Sequence, residues 1–191
     1  PRPVPRAARR RNTAAPPLAN PLCLATVSGH AAPVTTTDPL QRFEHDHGNL
    51  SRRVMALREA LTGASADREG VLGVALAREL VTFTDDLFEH FAREEEGLFP
   101  FVLAQLPALL PAVTVLIEAH DRICGAASRL LALQRRSAPG PDSLALASAI
   151  FARFEAEYAD HSRRESEFLR SLGEKLDARH KDQLAEILRT L

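Results

Sequence analysis

The stretch FEHFAREEEGLFPF, residues 88–101, decides how this chain is read. Upstream of it Leu80, Phe83 and Leu87 recur at steps of three or four, and the series runs on through His90 and Glu94 to Leu98 and Phe101. That spacing predicts a helix with one buried stripe. An imidazole and a carboxylate therefore stand in the apolar face, their Cβ atoms roughly 5–6 Å apart. A buried carboxylate without a partner either costs several kcal/mol or takes up a proton. A metal ion removes that cost. Glu95 and Glu96 follow directly and are expected to point to other faces.

Three more segments answer with the same anomaly. A helix starting at Asp38, with Pro39 in its first turn and a stop at Gly63, has the stripe Phe43, His47, Leu50, Val54, Leu57, Leu61. The helix carrying the opening stretch is expected over residues 67–99, with Pro100, Pro107 and Pro111 bracketing the turn that follows. A third helix over 112–136 places His120 in a stripe with Val113, Leu116 or Ile117, Ile123 or Cys124, Ala127 and Leu131. After the loop of residues 137–143, a fourth over 143–172 runs Leu144, Ala147, Phe151, Phe154, Tyr158, His161, Glu165, Phe168, Leu172. A short amphipathic helix from Asp177 is expected to pack across the bundle end. Each long helix thus holds one histidine in its seam, and two add a glutamate one turn later. His30, His45 and His180 fall off the seams.

Composition agrees with helix and excludes several classes. The 191 residues are 45% hydrophobic and 26% charged, with no Trp and one Tyr, and strand-type alternation is missing. Net charge is −1, which gives no global field for nucleic acid or membrane, and no apolar run has the length of a membrane span. Cys23 and Cys124 are too few for a disulfide framework, and Cys124 reads as a space-filling thiol. Residues 1–37 hold seven of the 13 prolines, five arginines within the first eleven positions and no acid. They read as a disordered arm, and the domain as residues 38–191. The expected location is the cytoplasm.

Short loops make neighbouring helices antiparallel, so the mid-helix positions converge at one depth. Four imidazoles and two carboxylates are too many donors for one ion and suit two bridged ions, the glutamates spanning the pair. Nitrogen and oxygen donors suit iron, manganese or zinc and disfavour all-oxygen calcium or magnesium sites. Asp86, one turn before His90, is placed either to orient that ring or to stand as an exposed helix charge, and Tyr158 either to reach a ligand carboxylate with its hydroxyl or to pack in the core with a wet tip.

The ordered set Asp46-His47, HFAREE to Pro100, EAHDRI (residues 118–123) and HSRRE (161–165) resembles the hemerythrin-like, HHE cation-binding family over about residues 38–190. The resemblance implies an all-α, up-down-up-down four-helix bundle around a non-heme di-iron centre, two iron ions that an oxo group can bridge. It implies ligand roles for His47, His90, Glu94, His120, His161 and Glu165. Two positions depart from the pattern. Leu116 stands where oxygen-carrying hemerythrins have a second histidine, and Ser166 where relatives often have another acid. The first departure argues against reversible oxygen carriage and for an open coordination position.

The function expected on this basis is binding of, or reaction with, O2 or a related small ligand such as NO. Leu50, Leu87, Leu116, Phe154 and Tyr158 are the expected apolar shell. The chain reads as a metal- and oxygen-binding module rather than an enzyme, with peroxidase or oxidase activity as the alternative. A sensing or iron-handling role would need a protein partner, with the C-terminal helix as its docking surface.

Overall fold

The computed structural model describes residues 38–63, 73–136 and 141–191. The expected arm over residues 1–37, with Cys23 and His30, lies outside the described residues, as do residues 67–72 of the second expected helix and most of the loop before the fourth. Among the described residues there is no strand.

Helix α1, Pro39–Thr62, starts where the sequence places it. Asp38 Oδ1 accepts from the Leu40 amide at 3.0 Å, Pro39 occupies the first turn, and Gly63 caps the far end. Helix α2, Gly73–Arg93, passes into a π-helical turn, Glu94–Leu98, and on into α3, Phe99–Gln105. The expected stop at Phe99 is therefore corrected: the helix continues through Pro100. A proline inside an α-helix leaves a carbonyl without its donor and clashes with the preceding turn. Here that turn is widened, with the Phe99 amide reaching back to the Glu94 carbonyl, so the ring is accommodated without breaking the rod.

A 3₁₀ turn at Pro107–Leu109 leads to α4, Leu110–Arg136. Helix α5, Pro141–Lys175, extends a few residues beyond the expected span at each end, and α6, Ala178–Arg189, begins at the Asp177 cap.

Four long helices close on one another: α1 packs on α2 and α5, and α4 packs on the same two. This is a helical bundle. Its interior is divided. One apolar cluster joins Leu50 to Leu61 of α1, Leu80 to Phe91 of α2, Ala119 to Leu130 of α4 and Ala147 to Tyr158 of α5. The other joins Leu40 and Phe43, Leu98 to Val102, Val113 and Leu116, Phe168 to Leu176, and Leu184 and Leu188 of α6. Between the two, at residues 47, 90–94, 120 and 161–165, every helix of the ring contributes polar side chains. Leu50, Leu87, Leu116, Phe154 and Tyr158 are all buried, as expected of a shell.

Helix α6 lies against α1 and the π turn. Leu184 and Leu188 bury its apolar side, and Lys181 Nζ reaches the Asp38 carboxylate at 2.6 Å. No helix among the described residues is long and apolar enough to cross a membrane.

Candidate metal centre

The structure brings all six sequence-selected side chains into one buried layer. His47, His90, Glu94, His120, His161 and Glu165 are each at most 4% exposed. The four rings form two edge-on pairs: His47 and His90 with centroids 4.6 Å apart, His120 and His161 at 4.7 Å. Between the pairs, the His47 and His161 centroids lie 6.3 Å apart.

The glutamates lie between the pairs. Glu94 divides its oxygens: Oε1 is 2.9 Å from His90 Nε2 and 3.6 Å from His47 Nε2, while Oε2 is 3.2 Å from His120 Nε2. Glu165 straddles with a single oxygen, Oε2 lying 3.1 Å from His47 Nε2 and 2.8 Å from His161 Nε2. Two four-donor groups result: His47, His90, Glu94, Glu165 and Glu94, His120, His161, Glu165, the donor atoms of each within 4.8 Å of one another.

These short N···O distances are not hydrogen bonds. Both ring nitrogens of His47, His90 and His161, Nε2 of His120 and all four glutamate oxygens are buried without a hydrogen-bond partner. Leaving even one buried polar group unsatisfied costs about 1–3 kcal/mol, so the eight of these atoms that a shared ion could reach, four Nε2 and four glutamate oxygens, need another explanation. Donors about 2.1 Å from a common ion and at right angles to each other lie about 3.0 Å apart. Four of the five spacings, 2.8–3.2 Å, match that arrangement, and the fifth, His47 Nε2 to Glu94 Oε1, is wider at 3.6 Å. The donor set therefore fits metal ions, and its mix of imidazole and carboxylate suits iron, manganese or zinc.

Without metal, the layer is an electrostatic knot. Burial disfavours a charged His47, but Glu165 and Glu94 outweigh it and lift its pKa to about 10. Burial likewise opposes charge on His120, and Glu94 and Glu95 raise its pKa nonetheless. Glu94 resists ionisation through burial, yet the surrounding imidazoles of His90, His120 and His47 hold it well below the usual carboxylate range.

A match to the family model for the hemerythrin HHE cation binding domain extends over residues 38–169. The chain belongs to the hemerythrin HHE cation-binding family. Comparison with curated proteins and with solved structures gave no significant match. The hemerythrin-like centre is thus a cation-binding layer built from buried His and Glu groups able to hold metal.

Around the centre, two open alternatives are decided and one expectation is corrected. Asp86 does not orient His90; it pairs with Arg53 of α1, which also holds Glu79. The Tyr158 hydroxyl does not reach a ligand carboxylate; it lies 3.5 Å from the His47 carbonyl and from Ser51 Oγ, and burial pushes its pKa up to about 12. Glu95 does not point away; its Oε1 sits 2.7 Å from His120 Nδ1.

Glu95 is the residue that sequence reasoning missed. A signal was present, since Pro100 in a helical pattern hints at an irregular turn just upstream. Cys124 is a half-buried free thiol packed beside the first cluster, its pKa pushed up to about 11 chiefly by burial, which suits space-filling and not ligation. His45 is exposed, and His180 pairs with Asp177.

Access to the layer is visible on one side. A cleft of about 230 Å³ between α1 and α2 is lined by Asp46, Asn49, Leu50, Arg53, Asp86, Glu89 and Arg93, with His90 among its walls. Arg93 bridges to Asp46 at 3.1 Å and lies 5.5 Å from the Phe43 ring centroid, which fixes the mouth of this cleft to both helices.

Proposed function

We propose that this chain is a non-heme di-iron protein that binds or reacts with O2 or a related small ligand such as NO, in a sensing, iron-handling or protective role. The ligands are His47, His90, Glu94, His120, His161 and Glu165. The observation that carries the proposal is the division of donors into two like groups sharing both glutamates. A single ion would leave one imidazole pair without a partner.

The up-down-up-down topology belongs to the same proposal. The order in which each long helix meets the two apolar clusters supports it: α1 and α4 run from the second cluster to the first, α2 and α5 from the first to the second. The division into an arm over residues 1–37 and a domain from Asp38 onward is proposed with it, on composition.

A redox-active pair of ions held there would supply the electrons for chemistry on O2 or NO. The chain does the rest. His47, His90, Glu94 and Glu165 would hold one ion and Glu94, His120, His161 and Glu165 the other, four protein donors each against the six of an octahedral site, which would leave room for an external ligand. Leu116, in the second cluster, has no donor to offer in place of a further histidine. Leu87, Phe91, Leu98 and Ile123 keep bulk water from the layer, and the cleft beside His90 admits a small molecule. A turnover role with hydrogen peroxide is the second reading, favoured by the same shortage of protein donors.

Reduced, iron-loaded protein exposed to O2 or NO tests the reading. New visible charge-transfer bands that depend on the added gas are expected, and their absence with both gases would refute it. Steady peroxide consumption, lost in His120→Ala, would favour the second reading.

A further inference from the structure

We infer that Glu95 is a positioning residue that makes the two metal sites unequal, so that the site built from His120 and His161 fills first and more tightly than the one built from His47 and His90. The inference rests on the metal-centre reading above and extends it.

The two donor groups are chemically alike: each has two imidazoles and a share of the same two glutamates. Donor type therefore gives no ranking, and the groups behind the donors decide. Among the four rings, only His120 has a partner for its outer nitrogen. Glu95 Oε1 lies 2.7 Å from its Nδ1, whereas Nδ1 of His47, of His90 and of His161 is buried with no hydrogen-bond partner. A carboxylate can only accept, so Nδ1 of His120 donates and its Nε2 lone pair is turned toward Glu94 and the centre. A carboxylate behind an imidazole fixes its tautomer and raises its basicity as a ligand.

Packing reinforces the effect. Phe91 stacks on the His120 ring at 3.8 Å between centroids and 11° between planes, and Phe99 lies nearly parallel at 5.8 Å. Glu94, Glu95, Phe91 and Phe99 all come from the π turn and the residues flanking it. Neighbouring glutamates of that turn flank opposite nitrogens of one ring, Glu95 bonded at Nδ1 and Glu94 facing Nε2 across 3.2 Å with no hydrogen bond between them. His120 thus enters metal binding already oriented, while the other three rings must be set by the ion itself.

Glu95 is also the exposed member of the group, its side chain 41% accessible. Its replacement removes an exposed charge and leaves one buried atom, His120 Nδ1, without a partner, which is the effect the test reads.

The experiment is a titration of the metal-stripped full chain with Co²⁺, followed by visible absorption and calorimetry. The wild type is expected to take up two ions in two resolved steps. In Glu95→Ala the tighter step weakens by about 10–100-fold and the weaker step stays put, so the two merge. Glu95→Gln keeps an acceptor without the charge and falls between. Glu174→Ala, which removes an exposed acid of α5 paired with Arg170, leaves both steps in place. A general loss of fold would lower both steps together, so selective loss of one is the signature.

Two equivalent steps in the wild type, or steps unmoved in a folded Glu95→Ala, overturn this inference alone. Failure of the wild type to bind Co²⁺ overturns the metal-centre reading and this inference with it.

Discussion

His47 shows what single residues contribute when metal is absent. Burial works against its charge, and the Glu165 and Glu94 carboxylates reverse the outcome, holding its pKa near 10. The sign follows from linkage. A histidine with a raised pKa stabilises the metal-free protein fully below the ordinary value of about 6.5, and that contribution is lost as pH rises through about 10. Glu94, held low, contributes above its ordinary range, and the contribution is lost on acidification. Thermal melts of metal-free protein should therefore give the highest Tm near neutrality and a fall on both flanks. At neutral pH, metal must displace the His47 proton, so uptake in weakly buffered solution should release at least one proton per chain to an indicator dye. Positions inside the seam were legible because helical period places them: all six side chains selected by spacing lie together. Contacts made across helices were not. Asp86 finds Arg53, and Tyr158 finds the His47 carbonyl, and no local pattern encodes which neighbour supplies a partner.

At the scale of elements, the π turn Glu94–Leu98 sets the second half of the site. A uniform rotation of about 100° per residue carries the prediction from Leu80 through Glu94 to Leu98 and Phe101, all buried, but it does not describe the residues inside the turn, which holds more residues than an α turn. That is why Glu95 could not be placed from period alone, and why Phe99 lies in the core although the expected stripe passed it by. The same turn seats α6. A Cβ on Gly97 would stand 2.7 Å from Leu188 Cδ2 and 2.9 Å from Leu191 Cδ1. Those atoms are ends of flexible side chains, so the neighbours can yield at modest cost. Gly97→Ala is expected to destabilise the protein by about 1 kcal/mol, the low end for overpacking. Hydrogen exchange should rise selectively in α6. An unchanged α6 would mean that the close approach is not what positions this helix.

Across the whole molecule, a polar layer separates two apolar clusters. Helix class, the buried stripes and the convergence of their midpoints were readable from sequence, because each depends on spacing within one segment. The division of the donors into two groups was readable only as a count, since it depends on how four helices face each other. The clusters alone can support a bundle, but the layer between them gathers six ionisable side chains whose donor atoms mostly lack hydrogen-bond partners. Metal is the one component that would satisfy them together, and everything proposed for function depends on its number. The most direct test loads the stripped chain with Fe²⁺ under anaerobic conditions, removes the excess, and counts bound iron per chain. Two ions per chain are expected, whereas one ion or none would contradict the account.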